Sequence, residues 1–134
     1  MGLTKDDVRN NNNWAVRRVS ELGFLDAVWF LVKTLELTPE DLRAGNNTVF
    51  LNACWFGWLD FIRFLFEKFG MTRDDVAACG GDALKRACRR GDLDVVSYLV
   101  EVLGFDVPEG FPDTIPEEPI RDYLKERPVK KRRI

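Results

Sequence analysis

The chain has no histidine among its 134 residues. That removes the commonest general base and with it every Ser–His or Cys–His catalytic pairing. Cysteine is scarce as well. Cys54, Cys79 and Cys88 are an odd set whose spacings of 25 and 9 residues match no zinc pattern, so neither a metal nor another cofactor is expected, and free thiols in a reducing compartment are. Long apolar runs are missing too: Asp26 and Lys33 interrupt the stretch 24–35, and no membrane span is expected. The opening MGLTKDD has no basic start leading into an apolar stretch, so no secretory leader is expected. Gly2 is followed by Asp6 where a myristoylation signal takes Ser or Thr.

What is present fits one soluble domain. Hydrophobic residues make up 46% and charged residues 31%, a balance that argues against wholesale disorder and allows a single core at this length. The dominant feature is internal repetition. Gly23, Gly57 and Gly91 recur every 34 residues and open the phrases GFLDAVWFL, GWLDFIRFL and GDLDVVSYL. The same period relates Thr4, Thr38 and Thr72, and likewise Asp7, Asp41 and Asp75. Residues 3–36, 37–70 and 71–104 therefore read as three copies of one unit, each burying its apolar side against its neighbours.

Within each unit the apolar positions have helical spacing: Val28, Leu31, Val32 and Leu35, then Ile62, Leu65, Phe66 and Phe69, then Val96, Leu99, Val100 and Leu103. A shorter helix precedes each of these. Its inner face is read as Ala15, Val16 and Val19 in the first unit, Val49, Phe50, Ala53 and Cys54 in the second, and Ala83, Leu84, Ala87 and Cys88 in the third. The repeated glycine supplies the positive φ of a tight interhelical turn. A third, minimal helix starts each unit, with threonine as N-cap, aspartate three residues on, and Pro39 at the first helical position of the second. The pairs Asn12-Asn13, Asn46-Asn47 and Gly80-Gly81 are expected to break that turn.

The stretches NNTVFLNACWFGWLDFIRFLFEKFG and GGDALKRACRRGDLDVVSYLVEVLG resemble ankyrin repeats. In particular they resemble the divergent ankyrin-like repeats abundant in large DNA viruses of amoebae, where a T-x-x-D-V segment leads each unit, as residues 72–76 do here. The resemblance covers residues 3–104 and implies an all-α solenoid of three repeats with a C-terminal arm, acting as a scaffold for protein recognition. The Thr-Pro-Leu-His signature of ankyrin is missing, and the capped helix stands where ankyrin has a β-hairpin finger.

On that pattern Leu51, Asn52, Trp55 and Phe56 project away from the inner face. Their counterparts are Arg17, Arg18, Glu21 and Leu22 in the first unit and Lys85, Arg86, Arg89 and Arg90 in the third. The resulting face is aromatic in the middle and basic at both ends, suited to an acidic protein segment. Two other readings stand beside it. Trp55, Phe56 and Trp58 could complete a small core, since eight of the sixteen aromatics lie in the central unit. Alternatively, Trp14, Val16 and Trp29 could leave the first unit unsealed and drive homodimerisation.

After Gly104 the pattern stops in a proline-rich acidic arm, followed by a short helix that places Ile120, Tyr123 and Leu124 on one side to seal the last repeat. Five of the chain's 20 basic residues fall in the last eight positions, which leaves 15 against 22 acids and a body charge near −7. Lys130, Lys131, Arg132 and Arg133 resemble a single-cluster nuclear import signal, implying an import receptor as partner and a nuclear location, with the cytoplasm as alternative. The competing use of this tail, together with Lys85 to Arg90, is phosphate neutralisation on nucleic acid. No catalytic residue is assigned, because no nucleophile, base and orienting group converge in the sequence.

Overall fold

A computed structural model describes residues 5–126, without the side chains of residue 5 and residues 8–12. Thr4 and residues 127–134 lie outside the described residues. The described chain is all-helical, with no strand among these residues. Its helices are α1 (Lys5–Glu21), α2 (Leu25–Thr34), α3 (Pro39–Leu42), α4 (Ala44–Phe56), α5 (Leu59–Glu67), α6 (Arg73–Val76), α7 (Gly80–Arg90), α8 (Leu93–Ser97) and α9 (Glu118–Glu126). A 310 turn spans Ala77–Cys79, a π-helical turn Tyr98–Val102 and a second 310 turn Phe111–Thr114.

The short helices α3 and α6 begin in identical capping boxes. Thr38 accepts from the backbone N–H of Asp41 at 3.3 Å, while the Asp41 carboxylate accepts from the Thr38 N–H at 2.8 Å; Thr72 and Asp75 repeat both bonds at the same distances. Two orphan donors are thereby satisfied in four-residue helices that could not persist alone. Pro39 occupies the first turn of α3, where its missing N–H costs nothing.

The three turn glycines behave alike, with φ of 79°, 73° and 78°. At Gly57 a side chain is excluded twice, once by the left-handed backbone and once by the Asp92 carboxylate lying where a Cβ would be. The expected break before the following helix holds only in part. Asn13 is left-handed, as are Gly45, Asn46 and Asn47 near the start of α4. Gly80 and Gly81 are instead helical parts of α7. Gly80 serves another purpose, because a Cβ there would stand 3.2 Å from the Phe105 ring.

Helix α4 lies between α1 and α7, with α2, α5 and α8 packed on α1, α4 and α7 respectively, and α9 against α8. The three stacked helices run in the same direction. Phe56, at the end of α4, sits over Gly23 just past the end of α1, and Asp92, just past the end of α7, sits over Gly57 just past the end of α4. Most of the expected inner faces are buried: Val16, Val49, Phe50, Ala53, Cys54, Ala83, Leu84, Ala87 and Cys88 form the seam, and Val28, Leu31, Val32, Ile62, Leu65, Val96, Leu99 and Leu103 back it, while Ala15, Val19, Leu35, Phe66, Phe69 and Val100 are only half-buried against them. Alanines at the seam let the backbones approach closely.

Two expectations about exposure are corrected here. Val16 is fully buried against α4, and Trp29 is half-buried because α5 carries Phe61 and Phe64, whose rings it meets edge-on at 4.9 Å each. Only Trp14 of that trio is exposed, at 55%. Successive segments are also tied by polar contacts: Arg43 reaches the Asp75 carboxylate at 2.9 Å, and the Asn47 amide donates to the Asp75 carbonyl at 3.0 Å.

Candidate interaction surface

The exposed flank of α1, α4 and α7 carries the side chains expected to meet a partner. Trp55 is 39% exposed on the central helix. Lys85, Arg89 and Arg90 are exposed on α7, and Arg18 is exposed on α1, where it pairs with Glu21 at 3.3 Å. Arg17 is half-buried, its stem lying against the Gly45 backbone at the start of α4.

Three members of the expected face are not available to a partner in the way anticipated. Leu51 and Asn52 are buried, although they were expected to project outward. Phe56 is half-buried, stacked on Trp58 at 5.4 Å and over Gly23. The physical reason is the close parallel packing of neighbouring helices: a residue that leaves the seam of its own helix at a shallow angle is covered by the adjacent one.

Beneath the surface runs a polar ladder. The Ser20 hydroxyl donates to the Arg17 carbonyl at 2.7 Å, the Asn52 amide donates to Ser20 Oγ at 3.1 Å, and Arg86 donates to Asn52 Oδ1 at 3.3 Å. These bonds join α1, α4 and α7 in one line and hold one edge of the Arg86 guanidinium against the protein. A buried amide costs stability unless both its ends are used, and here they are. Sequence reasoning missed the ladder; the signal was an asparagine and an arginine one 34-residue period apart on a face otherwise read as solvent-facing.

The thiols are buried or half-buried. Burial pushes Cys79 and Cys88 up to about 11, with the Glu117 charge adding to the effect at Cys88, and drives the fully buried Cys54 higher still. Cys79, half-buried, donates to the Val76 carbonyl at 3.2 Å. The import-type cluster Lys130, Lys131, Arg132 and Arg133 lies outside the described residues. Comparison of the chain with protein-family models, curated proteins and solved structures finds no match.

Proposed function

We propose that this chain is a non-enzymatic protein-interaction module, a short solenoid of three 34-residue ankyrin-like repeats of the viral type, whose α1–α4–α7 flank holds an acidic segment of a protein partner. The observation that carries the reading is Trp55, a large apolar side chain left exposed on the central helix with cations on the helices at either side. Tryptophan and arginine are among the side chains most enriched at binding hot spots. The repeat reading is supported by the recurrence of the turn glycine and of the capping box at the sequence period. The Cys79 and Cys88 thiols are not proposed as nucleophiles, because their pKa values move opposite to what an attacking thiolate needs.

Fluorescence polarisation with a labelled acidic peptide bearing leucine tests the proposal. The expected result is binding that Trp55→Ala weakens about tenfold or more and that rising salt weakens further. Equal affinity in the Trp55→Ala/Arg89→Ala double variant, with its helical signal intact, would overturn it. Lys130, Lys131, Arg132 and Arg133 are proposed to direct the protein to the nucleus through an import receptor; a fluorescent fusion whose distribution ignores removal of residues 127–134 would refute this. The rival use of the basic tail on nucleic acid predicts salt-sensitive retention on duplex DNA.

A second reading is favoured by one observation. The C-terminal end is covered by α9, whereas Leu22, Phe24 and Phe30 of the first helical pair are exposed. Self-association through that end predicts a dimer by light scattering, and a monomer at micromolar concentration excludes it.

A further inference from the structure

We infer that the flank recognises its acidic segment through two apolar anchor points, Trp14 and Trp55, and therefore selects partners by the spacing of their apolar side chains. The inference rests on the binding role proposed above and adds to it a ruler.

The geometry follows from helix periodicity. Trp14 and Glu21 are seven residues apart on α1, and Trp55 stands 34 residues after Glu21, at the matching place on α4. Seven residues bring a helix back to nearly the same direction, with a drift of about 20°. Because α1 and α4 run side by side in the same direction, the two indoles leave the surface on one side, and they are exposed by 55% and 39%. Their separation is roughly 14 Å: about 10 Å along the helix axis from seven rises of about 1.5 Å, and about 8–10 Å across the interhelical gap. An extended segment advances about 3.4 Å per residue, so apolar side chains about four residues apart reach both indoles.

The charges on this flank select an acidic segment. Arg18 lies one turn beyond Trp14 on the same side of α1, and Arg89 occupies on α7 the place that Trp55 occupies on α4, with Arg90 next to it. All three are exposed. Arg86, held on one edge by Asn52 at 3.3 Å, adds a fourth cation between α4 and α7. From Trp14 onward α1, α4 and α7 carry two carboxylates, Glu21, already engaged by Arg18 at 3.3 Å, and the exposed Asp82. The surplus is positive on a chain whose net charge is −2. A carboxylate between the two anchors would meet Arg18, and carboxylates beyond the second would meet Arg89 and Arg90.

The test uses the full chain and labelled acidic peptides of one composition in which two leucines stand four, two or seven positions apart. Fluorescence polarisation is expected to give about tenfold tighter binding for the four-residue spacing. Trp14→Ala and Trp55→Ala should each abolish that preference while leaving the helical signal unchanged. Binding that depends on Trp55 but is indifferent to leucine spacing and to Trp14 overturns the two-anchor inference and leaves the binding role standing. Binding of none of the peptides overturns both. Tighter binding of a single-stranded oligonucleotide of equal charge, with loss in Trp55→Ala, overturns both in favour of base stacking.

Discussion

Glu36 sits in left-handed backbone with φ of 50°, at the place where Gly70 and Gly104 stand one and two periods later with φ of 96° and 69°. The three positions share a task, closing the end of the second helix in each pair, and the Met71 and Phe105 N–H groups return to the Leu65 and Leu99 carbonyls as such a closure requires. A side chain carries a penalty of about 1–2 kcal/mol in that conformation. Part of this is recovered from the more restricted unfolded chain, so Glu36→Gly is expected to stabilise the protein by about 0.5–1 kcal/mol. A urea midpoint that falls in the variant would contradict the assignment. At Asp75 the reverse holds. Its carboxylate serves both the Thr72 cap and Arg43, and its carbonyl serves Asn47; Asp75→Ala should cost about 1–2 kcal/mol, mostly through the cap, since the Arg43 side chain is 45% exposed and its ion pair adds little.

Among the elements, α9 is the one whose contribution is easiest to isolate, because it lies outside the 34-residue periodicity of the sequence. Ile120 and Leu124 are buried against the α8 end of the stack, and Tyr123 donates to Glu101 at 2.7 Å at the exposed rim. Removing a fully buried leucine leaves a cavity, so Leu124→Ala is expected to destabilise by about 2–4 kcal/mol in chemical denaturation. Tyr123→Phe should cost under about 1 kcal/mol, as it forfeits one solvent-exposed hydrogen bond. Equal effects from the two substitutions would mean that α9 is held by its rim and not by its apolar side. The polar ladder through Ser20, Asn52 and Arg86 is the corresponding feature of α1, α4 and α7: it fixes their register where alanine-lined seams would allow sliding.

For the molecule taken together, the thiols set an alkaline limit. Cys79 and Cys88 have folded pKa values of about 11 against an ordinary 9.0. Their uncharged forms are favoured by folding, so this stability is complete below pH 9.0 and is lost as pH rises through about 11. A melting temperature that holds steady up to pH 9.0 and then declines checks the sign, and the Cys79→Ser/Cys88→Ser variant should flatten the decline. The buried Cys54 is expected to resist alkylation until the chain unfolds.

Helix type, the turn glycines, the capping boxes at Thr38 and Thr72, and the buried seam were all legible in the sequence, because each depends on local spacing or on a backbone demand that few residues satisfy. The roles of Gly80 and Glu36 were not. Gly80 looked like a helix breaker until Phe105, 25 residues away, was seen to need its space, and Glu36 is not a residue type that announces a left-handed turn. The candidate surface divides in the same way. Periodicity by itself determined which residues leave the seam of each helix. Only the tertiary structure decided that Leu51 and Asn52 are covered, that Phe56 lies over Gly23, and that Trp55 stays open. Whether an outward side chain reaches solvent depends on how closely the next helix approaches and on the length of the side chains it brings, and neither is encoded within one turn of the chain.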